Sequence, residues 1–217
     1  MDDKNFSEQA AREWIETIEG EHSSIREKDL YPILREWIRD VNPVNIVDIG
    51  SGQGVCSDKI NLEKRFYTGV EPSQFLLNRA NQLFGCENRK FIFGNAYELP
   101  FASSTFDAAF SVNTWQLLSD QDRAAKELSR VLKHKAKFLI VTANPELISA
   151  WASAYKNHSR RGAHFEGFSH DKEGQSSKDD LYFHTCNEIE ACLSAHRLTV
   201  TSSFCFRKFL CVLGTKC

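Results

Sequence analysis

The sequence predicts one α/β domain built on a mostly parallel sheet with helices on both faces. Three observations predict it. From Val44 onward, short apolar runs alternate with stretches of helical period. The first run closes on an acid and three glycines at alternate positions, VDIGSGQG, a strand leading into a ligand-cradling turn. The last two runs, LTVTSSFCF and FLCVLG, are separated only by Arg207 and Lys208. That gap is too short for a crossover, so these two pair as an antiparallel hairpin.

The elements follow in order. Ala10, Ala11, Trp14, Ile15 and Ile18 recur at helical spacing, as do Leu30, Ile33, Leu34, Trp37, Ile38 and Val41. Pro32 opens the second helix or kinks it. These helices, within residues 1–42, form an N-terminal cap in which Trp14 and Trp37 are packing residues. VNIVDIG is a buried strand, followed by the glycine turn and a short helix over residues 55–60. RFYTGVE is the second strand, closed by Glu71 and Pro72, and Ser73 caps a helix with Leu76, Ala80, Leu83 and Phe84 on one face. KFIFGNA and FDAAFSV are the third and fourth strands. Ser119 and Asp122 have capping-box spacing ahead of a helix bearing Ala124, Leu128, Val131 and Leu132. KFLIVTA is the fifth strand and completes a core over residues 43–143. Residues 144–185 are an insert whose stretch 155–180 is polar and without period, as expected of a lid, a substrate loop or a disordered segment. Thr185 and Glu188 again have capping-box spacing, opening a helix that fills residues 186–217 together with the hairpin.

Composition narrows the function. The length of 217 residues suits one domain. No apolar run approaches a membrane span, and the acidic, polar start MDDKNFSEQ is unlike a signal peptide, so the expectation is a soluble cytoplasmic protein with no membrane partner. The net charge of −2, without a dense basic stripe, argues against a nucleic-acid partner. The seven cysteines include no CxxC pair and no zinc-ligand spacing, so no metal is expected. Cys192, Cys205 and Cys211 sit in apolar runs and read as small buried side chains.

The glycine turn carries the chemistry. A dinucleotide fingerprint starting at Gly50 needs glycine or alanine at its sixth place, where Val55 stands. Two acids flank the turn. Asp48 lies two residues before Gly50, and Glu71 ends the next strand 21 residues after it. An acid at the second position accepts hydrogen bonds from both ribose hydroxyls of an adenosine group. The valine and the extra acid disfavour a pyrophosphate and favour an adenosine compound bearing positive charge.

Five segments in order make the residues from Val44 to about Val141 resemble a class I S-adenosylmethionine-dependent methyltransferase, in the style of the small-molecule type 11 group. They are VDIGSGQG, YTGVEPS, FIFGNAYELPF, FDAAFSVNTWQLL and ELSRVLKHKAKFLIV. The resemblance implies a Rossmann-like, seven-stranded sheet whose last strand is reversed, and S-adenosylmethionine as cofactor. It implies that Gly50, Ser51 and Gly52 bring backbone to the methionine part, with Asp48 orienting the ammonium. Glu71 would take the ribose hydroxyls, Pro72 and Ser73 shape the adenine side, and Asn95 and Ala96 meet the adenine edge. Ser111 and Asn113 would face the sulfonium, and Arg26 occupies a place where relatives supply a cation near the cofactor carboxylate. Two departures stand out. Asn95 replaces the usual aspartate, keeping one acceptor without the charge, and Ala136 replaces the usual glycine before the fifth strand, implying a different turn.

Methyl transfer from a sulfonium is an in-line displacement in which the protein mainly aligns and excludes water. No catalytic motif need be visible, and none is. His158, His164 and His170, spaced by six, read as solvated loop histidines, with one of them as a base the alternative. Tyr155, Tyr182 and His184 line a substrate cavity or pack, and Trp115 walls the pocket or joins the core. The expected function is methylation of a small-molecule acceptor. The alternatives are an accessory protein that holds cofactor without turnover, and a protein or nucleic-acid methyltransferase. SVNTWQ lacks the Asn/Asp-Pro-Pro-aromatic turn of nucleic-acid amino methyltransferases, and Val55 disfavours an NAD oxidoreductase.

Overall fold

The computed structural model describes residues 8–20, 22–149, 157–170 and 176–217. In chain order its strands are β1 (Asn45–Ile49), β2 (Phe66–Glu71), β3 (Arg89–Phe93), β4 (Phe106–Val112), β5 (Leu132–Ala143), β6 (Asn157–Arg161), β7 (His164–His170), β8 (Ser176–Tyr182), β9 (Leu198–Phe206) and β10 (Phe209–Lys216). The helices are α1 (Glu8–Glu19), α2 (His22–Ile25), α3 (Tyr31–Val41), α4 (Val55–Lys59), α5 (Gln74–Phe84), α6 (Gln121–Val131) and α7 (Cys186–Ser194).

Seven strands form one sheet in the order β3-β2-β1-β4-β5-β10-β9. β1 to β5 are parallel, and β10 runs antiparallel to both β5 and β9. The fold is Rossmann-like, with the reversed strand where the terminal hairpin predicts it. Successive residues of β1 feed opposite faces of the sheet, Ile46 packing with Tyr67, Phe110 and Leu139, and Val47 with Phe106, Leu128 and Phe138. That double burial explains why the strands read as continuous apolar runs.

The cap differs from two simple helices. α2 passes through a π-helical turn, Arg26–Leu30, into α3, and Pro32 lies in the first turn of α3. Leu30 and Tyr31 keep right-handed helical backbone, so the helix does not begin anew at Pro32, and the proline sits where the wide turn gives way to α3. The wide turn buries Arg26 and Asp29 beside Leu30.

Capping follows the sequence with one shift. The Ser73 hydroxyl accepts from Leu76 N at 3.4 Å. The cap of α6 is Asp120 rather than Ser119, accepting from Arg123 N at 3.0 Å. Thr185 and Glu188 form a complete capping box on α7. Thr185→Ala is expected to lower unfolding stability by about 1 kcal/mol in urea titration, with the transition slope unchanged. Before the apolar part of β5, the left-handed backbone position is taken by Lys135 (φ 64°), next to the Ala136 that replaces glycine. The β4–β5 register shifts there.

The insert is neither a disordered segment nor a bare loop where it is described. β6, β7 and β8 form a separate antiparallel sheet. Phe165 pairs in register with Leu181, and these two with Phe183 pack on Ala143 and Ile148. Cys211 is buried as expected, whereas Cys192 is half-buried and Cys205 is exposed on the edge strand β9. An edge strand lacks the second neighbour that would cover it.

Candidate functional site

The carboxyl ends of β1, β2 and β4 meet at one edge of the sheet, and the glycine turn leaves β1 there. Gly50 N and Ser51 N both donate to Val70 O, at 2.9 and 3.0 Å, which folds the turn back on β2. Gly50 has φ 78°, and a Cβ there would lie 2.1 Å from Thr114 Oγ1. Only glycine lets the β4 loop approach this closely. Gly54 plays the same part against the Phe91 ring, where a Cβ would fall 2.7 Å from the nearest carbon.

Two acids anchor the site. Asp48 is 1% exposed, and Tyr67 OH donates to its Oδ2 at 2.6 Å. Burial pushes the Asp48 pKa up to about 7; the Tyr67 hydrogen bond opposes this, and the nearby charge of Glu71 adds to it. Glu71 is also buried, and its oxygens accept from Gly52 N (2.8 Å) and Ser73 N (2.9 Å). Burial raises its pKa, and those two backbone donors hold the rise back. Each oxygen keeps a lone pair for a further donor.

The cap closes over the turn. The Trp14 indole nitrogen lies 3.8 Å from the Cβ position of Gly52, and the Arg26 guanidinium stands 5.4 Å from the Trp14 ring centre. Beneath them is a cavity of about 30 Å³, bordered by Trp14, Ile18, Arg26, Asp48, the glycine turn and Val112. Three buried polar atoms of its lining residues have no protein partner: Asp48 Oδ1, Ser51 Oγ and Gln53 Nε2. Orphaned buried polar groups are costly, so three of them on residues that border one cavity make it a candidate place for a polar ligand.

Arg26, Asp48, Gly50, Ser51 and Gly52 therefore gather around one cavity. Glu71, Pro72 and Ser73 lie on the other side of the turn, leading into α5. Asn95 departs from expectation: its Oδ1 already accepts from Tyr97 N (2.9 Å) and Glu98 N (3.0 Å). Both lone pairs are used, so the amide offers a donor, Nδ2, instead of the expected acceptor. Ala96 is buried in the core with Leu99. Ser111 donates to Ile49 O at 3.0 Å and is tied into the sheet, while Val112 borders the cavity in its place. Asn113 has a left-handed backbone (φ 56°), and its carbonyl accepts from Gln116 Nε2 at 3.0 Å.

Trp37 packs in the core as expected, but Trp14 borders the cavity, and Trp115 is core rather than pocket wall. His164 stacks on Tyr182 at 4.9 Å and pairs with Asp180 at 3.1 Å. The ligating atoms of His164, Glu166 and Asp180 lie within 4.8 Å of one another. Among the described side chains, His164 thus has two carboxylates as neighbours. The side chains of His158 and His170, and Tyr155 entirely, lie outside the described residues. Tyr182 also stacks on His184, whose pKa is lowered by burial. Sequence reasoning missed Gln53, Thr114 and Trp14 as site residues. Gln53 was within reach, inside the motif itself; nothing in the sequence placed Trp14 over the turn.

Residues 47–140 match the family model described as a methyltransferase domain. The likeness to this family lies in that segment, a little under half of the chain. Among curated methyltransferases, it is 33% identical over 115 residues to the demethylmenaquinone methyltransferase of Thermotoga maritima, covering 51% of this chain and 48% of that one. It is 24% identical over 135 residues to an O-methyltransferase of Aspergillus nomiae, covering 57% and 60%. The chain thus spans about half the length of the curated relatives it matches. A solved SAM-dependent methyltransferase of Methanosarcina mazei superposes with a TM-score of 0.70 at 20% identity, over 87% of this chain and 98% of that one. At that identity the likeness is one of fold.

Proposed function

We propose that the protein binds S-adenosylmethionine between the glycine turn and the N-terminal cap and transfers its methyl group to a small-molecule acceptor. The observation that carries this reading is the donor and acceptor set around the cavity. Asp48 Oδ1 is an unpartnered acceptor beside a turn shaped for close backbone approach. Arg26, Gln53 Nε2 and Ser51 Oγ add donors on the same lining. An α-amino acid end needs this combination, an acceptor for its ammonium and donors for its carboxylate. The remaining lone pairs of Glu71 suit the ribose hydroxyls. The family match and the names of the relatives, which act on menaquinone precursors and on oxygen acceptors, support methyl transfer to small molecules.

The bound cofactor would supply an already activated methyl group, so the chain's own work is placement. Asp48 and Arg26 would fix the two ends of the amino acid, and Glu71 would fix the ribose. Trp14, Ile18 and Val112 would exclude water around them. Among the described residues no helix is long and apolar enough to cross a membrane.

Melting shifts with S-adenosylmethionine, S-adenosylhomocysteine and NAD test the reading. Both adenosyl compounds are expected to raise the melting temperature, and NAD is not. Glu71→Ala is expected to weaken adenosyl binding at least tenfold, about 1.4 kcal/mol. A shift with NAD alone, or unchanged adenosyl affinity in Glu71→Ala, would overturn it.

A further inference from the structure

We infer that Gln53 senses the amino-acid end of a bound adenosyl ligand and couples it to closure of the α1 cap. The inference rests on the cofactor reading given above. Gln53 is 2% exposed, and its amide orientation is fixed by chemistry. Arg79 Nε, which can only donate, bonds its Oε1 at 2.7 Å. The amine Nε2 is therefore the end left buried and without a hydrogen-bond partner, on a residue that borders the cavity. Arg79 Nη2 in turn donates to Glu19 Oε1 at 2.7 Å, at the last residue of α1.

One amide thus connects two places. On one side is the cavity, where a ligand carboxylate would find Gln53 Nε2 together with Arg26. On the other is the helix that roofs this cavity through Trp14 and Ile18 and leans on α5 through Arg12, 4.6 Å above the Phe75 ring. A carboxylate accepting from Nε2 would hold the amide in the orientation that presents Oε1 to Arg79. The Gln53–Arg79–Glu19 chain would then hold α1 down. Hydrogen bonds in a chain polarise one another, so pairing at one end strengthens the other. A ligand shifts such an equilibrium only through contacts that differ between the open and closed states. An adenosine compound without the amino-acid end makes no contact with Gln53 Nε2, so it cannot drive closure.

Hydrogen exchange over residues 8–19 of the full chain reads this directly, with S-adenosylhomocysteine and 5′-methylthioadenosine as probes. S-adenosylhomocysteine is expected to slow exchange in α1 at least tenfold, whereas saturating 5′-methylthioadenosine leaves it unchanged. Gln53→Met keeps the volume and removes the amide. It is expected to bind S-adenosylhomocysteine about tenfold more weakly and, at saturation, to lose the slowing in α1. Glu19→Gln weakens the chain at its exposed end and carries the test if Gln53→Met does not fold. It should lose most of the slowing while its affinity for 5′-methylthioadenosine stays at the wild-type value. Slowing of α1 by 5′-methylthioadenosine, or undiminished slowing in either variant, overturns the inference. Failure of the wild type to bind either probe overturns the cofactor reading and this inference with it.

Discussion

Asp48→Asn is expected to remove a pH dependence of stability that the wild type shows between about pH 4 and 7. The unfolded chain ionises Asp48 near its ordinary value of 3.8, while burial in the folded protein raises it to about 7. Between these values the folded protein holds a proton that the unfolded chain has lost. The stabilisation is therefore full below the unfolded value and is lost as pH rises through the folded one. A shift of this size corresponds to roughly 4 kcal/mol as an order of magnitude. Glu71 moves in the same direction from its own burial, so the wild-type slope contains both acids and only the difference between proteins isolates Asp48. Denaturant unfolding at pH 5 and pH 8 makes the comparison. The variant should lose markedly less stability than the wild type, and parallel losses would refute the burial argument. Tyr67, Glu71 and Cys56 interact with Asp48 electrostatically and none of them is a cation, while the Arg26 guanidinium borders the same cavity. A ligand ammonium in contact with Asp48 would add a direct countercharge and expel the proton, so adenosyl affinity should rise with pH through about 7 in the wild type, and this rise should be lost in the variant.

Gly50→Ala should be the most damaging single substitution in the turn. Two separate costs add. The backbone angle of +78° is unfavourable for any residue with a Cβ, by about 1–3 kcal/mol. The new Cβ would also fall 2.1 Å from Thr114 Oγ1, and Thr114 is held in place by its bond to Gly50 O at 3.2 Å. Either the turn or the β4 loop must shift, and both border the cavity. Unfolding in urea should show a loss of several kcal/mol, on the order of 3 or more. Thr114→Gly in the same background removes the steric part and leaves the backbone part. Recovery of part of the lost stability in the double variant is expected, and simple additivity of the two losses would show that the contact contributes nothing.

The parts of the fold that repeat a local rule were legible in the sequence. The five parallel strands, the reversed hairpin and the caps at Ser73 and Thr185 depend on period, spacing and one or two residue types. The glycine turn and its two acids were legible for the same reason. What was not legible depends on distant segments meeting. Trp14 reads as an ordinary apolar helix position, and only the packing of α1 places it over Gly52. Asn95 reads as an open acceptor until the turn bonds of Tyr97 N and Glu98 N are counted. Ser111 reads as a hydroxyl at a strand end, yet it spends its proton on Ile49 O. The small sheet escaped because few apolar side chains mark its alternation, and Phe165, Leu181 and Phe183 are too sparse to stand out among charged neighbours.

That sparseness has a mechanical side. The β6–β8 sheet is paired within itself and meets the rest of the protein at Ala143 and Ile148 and at the turn Trp115–Leu117. The main sheet has a separate, much larger core on each face. A loss of packing at Phe165, Leu181 or Phe183 would therefore loosen the small sheet while leaving both cores of the main sheet intact. The glycine turn and the small sheet thus rest on separate cores.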